Sequence, residues 1–254
     1  MLLYCARDKT YFSDYQQFGM GAGVNFCESN DNSPFKTTLL IAMQTTLFHL
    51  HGDILAPANA NECGNAKNAQ LVLCFASKEK LNNPGSYASI RKHFPSAQIA
   101  MCSTAGEIFQ ESVQDDSLIA AALHFDSTGI ETATVNIFEH AGSYEAAQAA
   151  VKKLPQHNLS YILVFSDGST VNGSELVKGL NDAVEDRILI TGGLAGDGVN
   201  FVSTLVGLNR QPSNGNIVVI GFYGEKISVT HGSHGGWDTF CAKRSNPFFG
   251  KQTF

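Results

Sequence analysis

Three polar segments of this sequence close apolar runs, and each carries residue types that hold or transform small molecules. Ser166-Asp167-Gly168 closes the first and sets a carboxylate at the carboxyl end of an expected strand, where open α/β sheets bind their ligands. Asp167 would suit a ligand ammonium there. The plainer alternative is that Asp167 starts a turn and Asn172 or Ser174 caps the next helix. Thr191-Gly192-Gly193-Leu194-Ala195-Gly196-Asp197-Gly198 follows a second run. Its glycines let successive backbone N–H groups converge on one anion, such as a carboxylate, or serve only the geometry of a tight turn. The spacing is not that of a dinucleotide loop opening a helix, because residues 201–206 read as another strand. Cys102-Ser103-Thr104-Ala105-Gly106-Glu107 closes the third run.

Farther on, His231-Gly232-Ser233-His234-Gly235-Gly236-Trp237-Asp238 gathers the single Trp and two of the eight His. Such a segment can stack on a ring, donate to an anion or ligate a metal, but two His three apart across a glycine do not define a zinc pair. A haem needs only one axial His, and His49, His51, His93, His124, His231 and His234 are formally available. His124 lies on an expected strand and reads as a satisfied core group. Cys102, Ser103, Ser166 and Cys241 are possible nucleophiles, with His231 or His234 as base and Asp167 or Asp197 as orienter. No GxSxG elbow is present, and a triad of this kind can be assembled from most chains of this length, so the expectation is a protein that is not an enzyme.

The elements that must position these segments come in two similar sets. Leu71-Val72-Leu73-Cys74-Phe75-Ala76-Ser77 aligns with Tyr161-Ile162-Leu163-Val164-Phe165-Ser166-Asp167 at an offset of 90 residues, and the same offset lays Ala105-Gly106-Glu107 on Ala195-Gly196-Asp197. Between these anchors each set has a helical stretch (87–94 and 173–184) and a second apolar run (97–102 and 187–191), a β-α-β unit each time. Residues 119–125 match 217–223 as strands, and 24–28 match 135–139. Amphipathic helices are expected over 37–49 and 144–153. Turns at 126–129 and 224–225 fit antiparallel hairpins, while residues 53–68, rich in Asn, Ala, Pro and Gly, read as an exposed loop. Residues 201–206, with Phe26, Phe125 and Phe222, read as core packing and not as a nucleic-acid platform.

The expected fold class is therefore α/β, with two pseudo-symmetric mixed α/β lobes from an internal repeat packed into one layered domain. Lobe A spans about 23–130 and lobe B about 131–233, with 1–22 an N-terminal extension and 239–254 a C-terminal tail. With 254 residues, 43% of them hydrophobic and 16% charged, the chain can bury a large core unaided. Its formal charge of -6, without a basic cluster, argues against nucleic acid. Six scattered cysteines without zinc spacing fit a reducing compartment. No apolar run reaches membrane-spanning length, so the expectation is a soluble, cytoplasmic protein.

In their order, the four polar blocks resemble the amino-terminal (FIST N) domain of the FIST family, a sensory module of bacterial signalling proteins and F-box proteins. The similarity runs over residues 71–238 and more weakly back to Gly23. It implies sensing of a small molecule such as an amino acid, with haem-dependent nitric oxide sensing in some members, and no known catalytic chemistry. The implied partner is a signalling protein of the histidine kinase, cyclic-dinucleotide enzyme or chemoreceptor type. In the family the pattern continues past the His-Gly-Gly-Trp-Asp block into a carboxy-terminal domain; here 16 residues follow Asp238, so a chain lacking that domain is expected.

Repeat and resemblance together give one expected site. Ser103, Thr104, Glu107, Asp167, Gly193, Gly196, Asp197, His231, His234 and Trp237 should surround a cleft between the lobes that takes an amino-acid-like ligand. No metal is expected; were haem bound, His231 and His234 are the candidate axial ligands. The remaining alternatives are a haem-based nitric oxide sensor and a hydrolase or transferase working in the Cys102, His234 and Asp197 region.

Overall fold

Apolar runs with no polar face, such as those at 71–76 and 217–222, must be covered on both sides, and the structure meets that demand with four layers. The computed structural model describes residues 43–58 and 66–229. Along them run β1 (Met43–His51), β2 (Ile54–Pro57), β3 (Leu71–Ala76), α1 (Lys78–Asn82), α2 (Pro84–His93), β4 (Gln98–Ser103), β5 (Glu107–Phe109), β6 (Ser112–Gln114), β7 (Leu118–Phe125), β8 (Gly129–Asn136), α3 (Ser143–Lys152), β9 (Leu159–Ser166), α4 (Gly173–Ala183), β10 (Leu189–Leu194), β11 (Val206–Leu208) and β12 (Asn216–Tyr223). The first sheet has the order β11-β4-β3-β7-β1-β2 and the second β10-β9-β12-β8, with β5 and β6 forming a separate hairpin.

Alternation along each strand sends its side chains to two different cores. In β3, Val72, Cys74 and Ala76 pack with Leu81 of α1 and Ile90 of α2, while Leu71 and Leu73 face the other way. In the second sheet Ile162, Val164, Ile217 and Val219 meet Ala147, Val151, Leu176 and Leu180 of α3 and α4. Tyr161, Leu163, Phe165, Val218, Ile220 and Phe222 point inward and share one cluster with Leu71, Leu73, Ala100, Leu123 and Phe125. The layers are thus helices, sheet, sheet, helices. Phe75 and Phe165, which the 90-residue offset pairs, meet edge to face across the middle layer with centroids 5.5 Å apart.

Both sheets carry one pattern of pairing. In each, a parallel pair (β3 with β4, β9 with β10) is flanked by an antiparallel strand (β7, β12), which pairs antiparallel with a further strand (β1, β8). The expected helices at 87–94, 144–153 and 173–184 are α2, α3 and α4. Asn172 caps α4 through the Glu175 N–H.

Four local expectations give way. Within the expected helix 37–49, residues from Met43 onward are strand β1: Thr46, Phe48 and Leu50 are its buried positions, a period of two that outweighs the helical spacing of its other apolar residues. The expected loop 53–68 contains strand β2, whose Pro57 is tolerated because it lies on a sheet edge, and a 3-10 turn at Ala66–Asn68. The turn after β7 is no hairpin, since β7 belongs to the first sheet and β8 to the second, so the chain changes layers there. In 201–206 only Val206 is in a strand; Phe201 and Val202 are 90% and 73% exposed. Runs 1–22, 24–28 and 230–254 lie outside the described residues.

Helices α3 and α4 pack tightly at Gly179, where an added Cβ would lie 2.5 Å from the Tyr144 carbonyl oxygen and 2.9 Å from the Ala147 Cβ. Helix propensity alone would favour Gly179→Ala by up to about 1 kcal/mol. The backbone collision opposes it, with overpacking costing about 1–3 kcal/mol. Gly179→Ala is therefore expected to lower the urea midpoint, and a raised midpoint would show that the two helices are not in this contact.

Candidate functional site

β4 ends at Ser103, which is fully buried with every polar atom engaged. Its carbonyl accepts from Gly196 N–H at 2.8 Å, and its hydroxyl donates to the Gly196 carbonyl at 2.7 Å and accepts from Leu205 N–H at 3.0 Å. Its own N–H donates to Leu205 O at 2.9 Å. The turn after β4 and the segment after β10 therefore touch. Their approach is close enough that a Cβ on Gly196 would sit 3.0 Å from the Ala105 nitrogen, which accounts for glycine there.

A cavity of about 140 Å³ opens where these turns meet the start of α1. On its wall the Lys78 Nζ lies 3.1 Å from Asp197 Oδ2. The same oxygen accepts from Val202 N–H at 3.2 Å and Ser203 N–H at 3.0 Å. The Asp197 side chain is only 2% exposed. The Ser203 N–H, above all, and then Lys78 and the Val202 N–H hold its carboxyl below the usual range, against burial, which raises it. Glu107, also buried, accepts from the Thr104 hydroxyl at 2.6 Å and from the Ser117 N–H and hydroxyl at 3.1 and 2.8 Å. The rim carries the exposed Glu79, Asp115 and Asp116, and Asp116 accepts from the Ser77 hydroxyl at 2.9 Å.

Of the residues expected at the site, Thr104, Glu107 and Asp197 line this cavity, and Ser103 and Gly196 join its two walls. Gly193 does not reach it: the β10 ladder with β9 runs on through Leu194, so Gly192 and Gly193 belong to the strand and the turn begins after them. Asp167 is a support and not a wall. It is fully buried, with Oδ1 accepting from the N–H and hydroxyl of both Ser169 and Thr170 and Oδ2 accepting from Gly215 N–H. His231, His234 and Trp237 lie outside the described residues.

Lys78 is the wall residue that sequence reasoning passed over. The 90-residue offset lays it on Gly168, directly after a strand-end Ser, and a cation at that place was the available signal.

The nucleophiles suggested by sequence are occupied or inert where they are described. Burial first, and then the Asp167 charge, push the Cys102 thiol up to about 12, so it is not a thiolate at neutral pH. The Ser166 hydroxyl is buried and donates to the Asp167 carbonyl. Of the histidines, His93 packs edge-on against Phe48 and Phe94, and His49 meets His51 at a tilt of 57° with centroids 3.9 Å apart. Partly exposed rather than in the core, His124 has Nδ1 3.1 Å from the Asn68 carbonyl and Nε2 3.6 Å from Asp126.

A haem requires a broad apolar slot and an axial ligand. The cavity just described and a second one of about 250 Å³ beside Tyr144 and Lys178 are walled mainly by polar and charged residues, and neither has a His or Cys on its wall. Among the described residues no three of His, Cys, Asp and Glu gather as a metal site. The described cavities do not fit a haem.

The family model of the FIST N domain matches residues 70–244. No curated protein matches the chain.

Asp167 generates a pH-dependent prediction. Burial alone would raise its carboxyl, but the donors from Gly215, Thr170 and Ser169 outweigh it and hold the group below its ordinary 3.8. A depressed folded-state value contributes stability that is present above the unfolded value and lost as pH falls through the folded one. Asp167→Asn turns an acceptor into a donor against these N–H groups and is expected to cost roughly 2–4 kcal/mol at pH 7. Urea unfolding at successively lower pH should show the parent losing stability more steeply below about pH 5 than the variant; equal slopes would contradict the assignment.

Proposed function

The chain belongs to the FIST N domain family of sensory domains in signal transduction, and we propose that it binds an amino-acid-like small molecule where the turns after β4 and β10 meet. The observation that carries this reading is the side-by-side placing of Lys78 and Asp197 on the wall of one cavity. An ammonium has three donors, and Lys78 spends one on Asp197, leaving others for a ligand carboxylate. Among the described residues, the three bonds to the Asp197 side chain end on Oδ2, which leaves Oδ1 for a ligand ammonium. Opposite charges on adjoining groups are what a zwitterion requires. The volume corresponds to about four or five waters at ~30 Å³ each, the scale of a small amino acid and not of a nucleotide.

In this reading the two halves, about 23–130 and 131–233, act as lobes of one sensory module, and ligand shifts their packing because it touches both at once. A signalling protein reads the shift. None of the described helices is long and apolar enough to cross a membrane, and Cys74 and Cys102 are free and buried. Both features suit a cytoplasmic setting.

Calorimetric titration of the full chain with free amino acids tests the proposal. A true ligand at 100 times its Kd should stabilise the fold by about 2.7 kcal/mol. Lys78→Ala should weaken binding about tenfold or more, a loss of about 1.4 kcal/mol, with little change in the fold because Lys78 is partly exposed. Absence of binding across the amino acids, or an Lys78→Ala variant that binds like its parent, would overturn the reading.

A further inference from the structure

The charge on the cavity wall narrows the ligand class. Five carboxylates line the cavity, from Glu79, Glu107, Asp115, Asp116 and Asp197. Against them stand the ammonium of Lys78, on the wall, and that of Lys80, which reaches Asp116 from 3.9 Å. Among the described residues three negative charges are therefore in excess around a space of about 140 Å³.

The excess is arranged in two tiers. Glu107 and Asp197 are buried at the floor. Glu107 has both oxygens engaged by Thr104 and Ser117, so its charge acts on the cavity without needing the ligand. Asp197 differs: its side chain is 2% exposed, and among the described residues Oδ1 receives no donor while Oδ2 takes all three. A nearly buried carboxylate oxygen without a donor is costly unless something supplies one. The upper tier, Glu79, Asp115 and Asp116, is exposed at the mouth, where it faces the far end of whatever fills the floor. A neutral zwitterion leaves the threefold excess in place, whereas a ligand with a second cation offsets part of it.

We infer that the cavity selects amino acids with a cationic side chain, or related diamines, with one ammonium on Asp197 Oδ1 at the floor and the second cation held at the mouth by Glu79 and Asp115. The inference rests on the reading of this cavity as an amino-acid site for its floor contacts, and on the wall charges for its selectivity.

Calorimetric titration of the full chain with L-arginine, L-lysine, L-alanine, L-glutamate and putrescine tests it. L-arginine and L-lysine should bind about fivefold or more tighter than L-alanine, with L-glutamate weaker than L-alanine. Because the mouth carboxylates are exposed, the advantage of the basic amino acids should shrink as salt is added. The variant combining Glu79→Gln with Asp115→Asn should bring the arginine-to-alanine ratio towards one, while Glu225→Gln, remote from the cavity, should leave it as it is. Arginine and alanine binding equally, glutamate binding more tightly than either, or an unchanged ratio in the double variant would each overturn the inference. Tight putrescine binding with no response to any amino acid would uphold charge selection and sink the amino-acid reading; no binding by any of the five would sink both.

Discussion

Two hydrogen bonds running in opposite directions between Ser103 and Gly196 hold the cleft together. They join the end of a strand in one sheet to the segment leaving the other, and Ser103 is fully buried there. Around this pair the junction adds further buried polar groups to the apolar contact of Cys102, Ala195 and Val206. Thr204 accepts from Gly168 N–H, Asn216 donates to the Val206 carbonyl and Asp167 holds Gly215. Polar networks of this kind are satisfied in one arrangement only and costly in any other, so they fix the geometry of the two turns more tightly than the apolar middle layer does.

Asp197 stands between that scaffold and the cavity. One oxygen shapes the loop after it, since the Val202 and Ser203 N–H groups that a strand would use in a ladder are spent on the carboxylate. The residue itself lies on the wall of the cavity. A single residue thus ties the occupancy of the cavity to a loop whose Val199, Phe201 and Val202 are among the most exposed apolar side chains described. Phe201 has φ of 53°, a region that aromatic residues avoid, so the loop conformation is held by its anchor on Asp197.

Much of this was legible in the sequence wherever the signal was local. The buried runs at 71–76 and 161–166, the helices expected over 87–94, 144–153 and 173–184, and the meeting of the turns at Ser103 and Gly196 followed from periodicity and from the 90-residue offset. What escaped depended on pairing over distance. β1 buries Thr46, Phe48 and Leu50 in alternation, a weak signal until β7 is known to lie beside it. β11 is three residues long and pairs with β4 about a hundred positions earlier, which no window along the chain contains. Asp167 looked like a ligand group because strand-end carboxylates often are; only the five donors that converge on it give it a supporting role. Lys78 escaped because one lysine after a strand is ordinary until its partner is in place.

The position of β11 also governs how the chain can reach this state. The first sheet is closed at β4 by a strand that arrives only after β10 has been made, so residues 43–125 hold every other strand of a six-stranded layer yet leave that edge bare. During synthesis such an edge is a template for mispairing with another chain. The closing contact spans about a hundred residues, and pairings of that range are slow to form. The segment that carries the Ser103 lock is thus also the last piece of the first sheet, and completion of that sheet and assembly of the cleft become one folding event.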